Sequence, residues 1–244
     1  MKNQTQGVSA EESTSVPETD AVQMRESEEQ ESDAQPSAGG EPEETKAAVN
    51  ASVKAVENNG SGVDISLITT PEWIDQMFLT PNPISRPQTP MKDIKYIAIH
   101  WVANPGTTAK ANRDYFEQLG DPNDPAYGLK ASAQFVVGLE GEVIQCMPLD
   151  EMAYAVKDKY NPYTISIEVC HPDSEGKFSD ITYASVIRLT AWLMQQFDLG
   201  EDAILRHYDC TGKDCPKYYV VHEDAWLQLK QDVMDYYYAH PSIS

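Results

Sequence analysis

The chain has 244 residues and a formal net charge of −21. Without a Lys/Arg stripe or cluster, that acidity excludes a nucleic-acid partner. No apolar run approaches the roughly 18 residues needed to span a bilayer, so no membrane span is expected.

The composition is uneven along the chain. Residues 1–70 carry 14 acidic and 4 basic residues and no aromatic, Cys or His residue. Such a segment cannot bury enough apolar surface to offset its ordering entropy. Residues 1–68 are therefore expected to be a disordered acidic tail or linker, and residues 69–244 a single domain. The start, Met1-Lys-Asn-Gln-Thr-Gln-Gly, lacks the apolar core of a signal peptide. Either the protein is cytoplasmic, or the sequence begins after a removed export signal or anchor. Four Cys are too few for a disulfide scaffold, with Cys210–Cys215 and Cys146–Cys170 as the pairings to consider.

In chain order, Thr70-Pro-Glu-Trp-Ile-Asp-Gln-Met-Phe-Leu79 reads as a short helix. Thr70 caps it, Pro71 sits in the first turn, and Trp73, Ile74, Met77 and Phe78 share a face. Pro81, Pro83, Pro87 and Pro90 impose an extended connection. Ile94–Trp101 is a buried strand by its β-branched and aromatic content, and it carries His100 at its end. Thr107 or Thr108 caps a helix to about Leu119, with Ala111, Tyr115 and Phe116 inward and Gly120 closing it.

Ser132–Val137 and Glu142–Met147 flank Gly138-Leu-Glu-Gly141 as a hairpin. Tyr163–Cys170 alternates as a strand and carries Glu168 near its end. A helix from Asp180 to about Phe197 shows the apolar stripe Val186, Leu189, Leu193, Phe197. A short strand, Ala203–Leu205, precedes a loop through Pro216. A last helix follows, from about Glu223 to Tyr238, burying Trp226, Leu229, Val233 and Tyr237. The order implies an α/β domain with a single mixed β-sheet flanked by helices.

The segment Arg206-His-Tyr-Asp-Cys-Thr-Gly-Lys-Asp-Cys-Pro216 crowds metal-binding and proton-moving side chains together. His100 and His207 both follow strands and should meet at one rim of the sheet. Cys215 lies eight residues beyond His207, between Gly212 and Pro216. Two imidazoles and a thiolate leave a fourth tetrahedral position for water, the pattern of a catalytic zinc site. A lone strand-end His is more often a satisfied surface or core residue than a ligand, so the spacing alone does not decide. Glu168 stands among apolar neighbours; facing a half-dry cleft, its pKa would rise and suit a general base. On the outer face it would be a solvated carboxylate. Lys213 can set a cation beside a developing oxyanion or simply lie in solvent. His171 next to Pro172 can line the same cleft, His222 should begin the last helix, and Cys146 and Cys170 read as buried apolar thiols.

Six blocks in order, Tyr96-Ile-Ala-Ile-His100, Ser132-Ala-Gln-Phe-Val-Val137, Gly141-Glu-Val-Ile-Gln145, Ser166-Ile-Glu168, Arg206-His207 and Lys213-Asp-Cys-Pro216, resemble a known family. It is the zinc N-acetylmuramoyl-L-alanine amidases of the type-2 fold, shared with phage endolysins and peptidoglycan-recognition proteins. The resemblance covers roughly 94–237. It implies His100, His207 and Cys215 as Zn2+ ligands, Glu168 as the water-activating base and Lys213 as the oxyanion partner. It also implies a peptidoglycan or muropeptide substrate, and so action outside the cell or in the envelope, where that substrate lies; a monomer is expected. Two departures stand out. Gln134 occupies a position where many members have His or Asn, and Ala153-Tyr-Ala-Val156 replaces the family's Ala-Trp-His-Ala. The alternatives are a non-catalytic peptidoglycan-binding module of the same fold, or a Cys-His hydrolase with Cys215 or Cys210 as nucleophile.

Overall fold

The computed structural model describes residues 63–243. The expected disorder of the acidic tail falls, up to residue 62, outside the described residues. Val63, Ile65 and Ile68 already pack against the core, ahead of the expected start of the domain.

One six-stranded sheet organises the fold. Its strands are β1 (Ile74–Gln76), β2 (Tyr96–Ile99), β3 (Phe135–Val137), β4 (Val143–Gln145), β5 (Thr164–Val169) and β6 (Ile204–Arg206), in the spatial order β1-β4-β3-β5-β2-β6. The β3–β4 hairpin is antiparallel and every other pair is parallel. The helices are α1 (Ala109–Gln118), α2 (Asp180–Phe197), α3 (His207–Thr211), α4 (Lys217–Val221) and α5 (Glu223–Ala239). This is the mixed sheet with flanking helices read from the sequence. No helix among the described residues is long and apolar enough to cross a membrane.

The pleat decides which face does what, because side chains alternate across a strand. Ile97 and Ile99 of β2, Ile165, Ile167 and Val169 of β5, and Phe135 and Val137 of β3 join one buried cluster with α2 and α5. The intervening residues Ala98, His100, Ser166 and Glu168 therefore share the opposite face. The registers Ala98↔Ser166 and Ile99↔Ile167, extended by His100 N–H donating to Ile167 O, bring His100 beside Glu168. Small residues beneath two chemically able ones leave room for a site.

The element bounds follow local chemistry. Thr108 caps α1 by accepting from Ala111 N–H, and Ser179 caps α2 by accepting from Thr182 N–H. α2 ends at Asp198, in the left-handed conformation with φ 51. The expected stripe Val186, Leu189, Leu193, Phe197 is buried throughout. On α1 the buried positions are Ala109, Asn112 and Phe116 rather than Ala111 and Tyr115, and Ala111 is exposed.

The segment expected as the first helix is instead strand β1 with an extended tail. Met77 N–H donates to Gln145 O and Leu79 N–H to Cys146 O, so the segment pairs with β4 and continues along it. Pro71 and the apolar spacing are local cues, and the long-range ladder with β4 overrides them. Phe78 is exposed accordingly. The loop expected after β6, through Pro216, contains the short helix α3, and a second short helix, α4, stands between it and α5. All four cysteines are free thiols, so neither pairing considered above forms.

Candidate metal centre and active site

His100 leaves the C-terminal end of β2 and is 1% exposed. His207 is the first residue of α3, immediately after β6, as expected. Strand β6 aims it at the same rim, because β6 pairs with β2 in parallel. The α3 turn is closed by Gly212, whose φ of 85 suits a residue without Cβ. Its closure brings Cys215 back under α3, where Cys215 O accepts from Tyr208 N–H at 2.9 Å.

The three donors converge. His100 Nδ1 lies 3.1 Å from His207 Nδ1, and Cys215 Sγ lies 3.8 Å from His100 Nδ1. All three ligand atoms fall within 4.8 Å of one another, each from a buried residue. Ligands of one tetrahedral zinc, with ordinary Zn–N and Zn–S bonds, stand ~3.3 Å (N to N) and ~3.5 Å (N to S) apart. The donor set fits such an ion in number, type and spacing.

The electrostatics favour the same reading. Burial, then His207 and Lys213, hold the His100 pKa well below the usual imidazole value. Burial, with Lys213 and Lys157, brings His207 down to about 4. Both rings are therefore neutral, as metal ligands require. Two neutral imidazoles with their Nδ1 atoms in contact leave at least one lone pair facing the other nitrogen, and a cation between them suits both. Burial likewise pushes the Cys215 thiol strongly up, partly offset by the Trp101 backbone N–H that donates to its sulfur. That is not the activated thiolate of a nucleophile, whereas a divalent cation would deprotonate it outright. Cys210 is buried, its thiol pushed up to about 12 by the same desolvation, and it is not one of the converging donors. The Cys-His hydrolase reading has no support here.

Glu168 extends beside the triad, its Oε1 3.8 Å from His100 Nδ1 and its side chain 19% exposed. It is thus at the mouth of the site and in reach of solvent. Lys213 is part-buried on the turn before Cys215, and its charge acts on His100, His207 and Cys215 together. The structure thus brings all five sequence-derived candidates to one rim. His171 does not line the cleft. It is fully buried behind Trp101, stacked at a ring separation of 4.7 Å, with Nδ1 donating to Asp173 O. His222 precedes α5 as expected and contributes no donor to the triad.

Sequence reasoning assigns no role to three residues that frame the site. Arg206 is buried; it donates to Tyr219 O and pairs with Asp209 and Glu223, tying β6 to α3, α4 and α5. Buried Asn161 accepts from Ala155 N–H and Val156 N–H, fixing the segment that departs from the resembled pattern. Lys157 reaches across to α3, donating to Thr211 O at 3.4 Å. Arg206 stands beside His207 in a recognised block, so a signal exists for it. For Asn161 and Lys157, isolated polar residues in a loop, there is none.

The family described as N-acetylmuramoyl-L-alanine amidase matches residues 90–218, just over half the chain. The amidase CwlL of Bacillus licheniformis is 31% identical over 153 residues, covering 57% of this chain and 40% of that protein. The amidase BlyA of Bacillus subtilis (strain 168) is 30% identical over 176 residues, covering 64% of this chain and 45% of its own length. The chain thus spans less than half the length of these curated relatives. Among solved structures, the catalytic domain of XlyA superposes with a TM-score of 0.54 at 27% identity, covering 66% of this chain and 98% of that one.

Proposed function

The chain belongs to the N-acetylmuramoyl-L-alanine amidase family, and on that premise we propose that it is a zinc-dependent peptidoglycan hydrolase. It would cleave the amide between the lactyl group of N-acetylmuramic acid and L-alanine, in cell-wall remodelling or lysis. The observation that carries the proposal is the convergence of His100 Nδ1, His207 Nδ1 and Cys215 Sγ with Glu168 beside them.

Zinc, held by His100, His207 and Cys215, would supply a Lewis acid that brings the pKa of water toward neutrality. Glu168 takes a proton from the attacking water as the new C–O bond forms at the scissile carbonyl carbon. The same carboxyl then returns that proton to the alanine nitrogen as the C–N bond breaks, giving a carboxylic acid and a free amine. Lys213, whose charge acts on the same three ligands, would offset the negative charge that builds on the carbonyl oxygen in the transition state. Arg206 fixes the start of α3, and so the ring of His207. The work would be done at the cell envelope, where peptidoglycan lies.

The test is digestion of purified peptidoglycan by the zinc-loaded protein, with release of new N-terminal alanine as the readout. No release would sink the reading, and binding without turnover would favour the non-catalytic module. Undiminished release by Glu168→Ala would remove Glu168 from the mechanism. Elemental analysis should give one zinc per chain, lost in Cys215→Ser.

A further inference from the structure

Lys157 directly follows the segment 153–156 that departs from the resembled pattern, and the fold fixes its backbone closely. Ser132 and Tyr154 exchange two hydrogen bonds, with Ser132 N–H donating to Tyr154 O and Tyr154 N–H to Ser132 Oγ. Asn161 Oδ1 accepts from Ala155 and Val156, while Tyr160 N–H and Asn161 N–H return to Lys157 O. The backbone of Lys157 is thus pinned from both sides, and its side chain crosses to the C-terminal end of α3.

There the ammonium donates to Thr211 O at 3.4 Å, and Thr211 Oγ1 itself donates to His207 O at 3.2 Å. One of three ammonium donors is used, leaving two for an incoming group at an exposed residue. The charge acts on the same imidazole as that of Lys213. Among the described residues Lys157 forms no ion pair with a carboxylate. Asp209 is taken by Arg206, and the adjacent Asp158 is exposed. In a chain of net charge −21, two cations flanking one site focus a positive potential there.

We propose that Lys157 is a specificity-determining residue that binds a free carboxylate on the departing peptide, so that the site selects stem peptides carrying a charge beyond L-alanine. The proposal rests on the amidase reading above and deepens it. Lys213 serves the scissile carbonyl, and Lys157, on the other contact with α3, serves the residue that follows in the peptide. An uncharged carboxamide at that position would still accept a hydrogen bond from Lys157 but would lose the charge-assisted part of it.

The test uses the full zinc-loaded chain and two soluble disaccharide tripeptides differing only at the second residue, D-glutamate or its carboxamide, D-isoglutamine. The wild-type protein should favour the carboxylate form roughly tenfold in kcat/KM, mainly through KM, as expected for one charge-assisted hydrogen bond. Lys157→Gln should abolish that preference while retaining kcat, Lys157→Arg should preserve it, and Lys159→Gln, removing a neighbouring charge, should leave it intact. Equal turnover of both substrates by the wild type, or a preference retained in Lys157→Gln, overturns the proposal and leaves the amidase reading standing. Turnover of neither substrate by the wild type sinks the amidase reading and this one with it. A thermal midpoint unchanged in Lys157→Gln separates lost recognition from lost folding.

Discussion

Replacing Arg206 with Met tests whether the frame around the metal centre is electrostatic. The guanidinium donates to Tyr219 O at 2.9 Å and lies 2.9 Å from Asp209 and 2.5 Å from Glu223. Its own side chain is 8% exposed, that of Asp209 25% and that of Glu223 59%. The Glu223 pair is screened and contributes little. The Tyr219 carbonyl loses its side-chain donor, and the Asp209 carboxylate keeps only the Arg206 N–H, at 2.8 Å. The contact of the guanidinium with the Trp226 ring, 5.2 Å from its centroid, loses its cationic part as well. Taking the guanidinium away from one half-desolvated carboxylate and one buried carbonyl costs about 3 kcal/mol. For a domain of this size that lowers the thermal midpoint by about 8 °C. Because Arg206 joins β6 to α3, α4 and α5, zinc affinity should also fall at least roughly tenfold, as for other residues that support a metal ligand. Arg206→Lys keeps the charge but not the planar fork that serves three partners, so it should recover only part of either loss. The measurements are thermal unfolding of the metal-free protein and zinc competition against a chelating dye. A midpoint within about 2 °C of wild type, or an unchanged zinc affinity, would refute the reasoning.

Two other outcomes follow from the site. In metal-free protein the folded pKa of His207, about 4, lies below the unfolded value of 6.5, and that of His100 is also depressed. The unfolded chain therefore gains protons first as pH falls, so stability is full above 6.5 and lost toward 4, on the order of 3 kcal/mol from His207 alone. Thermal midpoints at about pH 7.5 and about pH 4.5, either side of that window, should diverge less in His207→Gln than in wild type; equal divergence contradicts the account. At Gly176, φ is 80 and a Cβ would come within 2.5 Å of the Trp101 ring. Gly176→Ala should thus cost about 2 kcal/mol, and an unchanged midpoint or Trp fluorescence would speak against the clamp.

The sequence is legible wherever local chemistry decides the outcome. Helix α2 is readable at its observed bounds because Ser179 caps it and a full apolar stripe repeats along it. The strands β2 and β5 announce themselves by β-branched runs buried on both faces. The segment at β1 misleads because Pro71 and the spacing of Trp73, Ile74 and Met77 are helical cues. Its strand exists only through pairing with Val143–Gln145, far along the chain. Helices α3 and α4 escape because five residues each hold too little periodicity to detect.

The two departures from the family pattern turn out to differ in kind. Gln134 is fully buried; its Oε1 accepts from Ser166 N–H at 2.8 Å and its Nε2 donates to Glu151 O at 3.0 Å. Glu151 in turn holds Arg86 with two bonds, at 2.7 and 2.8 Å. Ser166 precedes Glu168 by one strand repeat on the same face, so Gln134 extends the β3–β5 ladder just below the carboxylate. A side chain so placed supports Glu168 from within and does not touch a ligand, and the change at 134 is one of scaffold. At 153–157 the backbone is held by Ser132 and Asn161 whatever the side chains are, and the loop reaches the rim beside His207. There a change of side chain alters the field that an incoming peptide meets. Divergence in substrate preference should therefore be sought at Lys157 and not at Gln134.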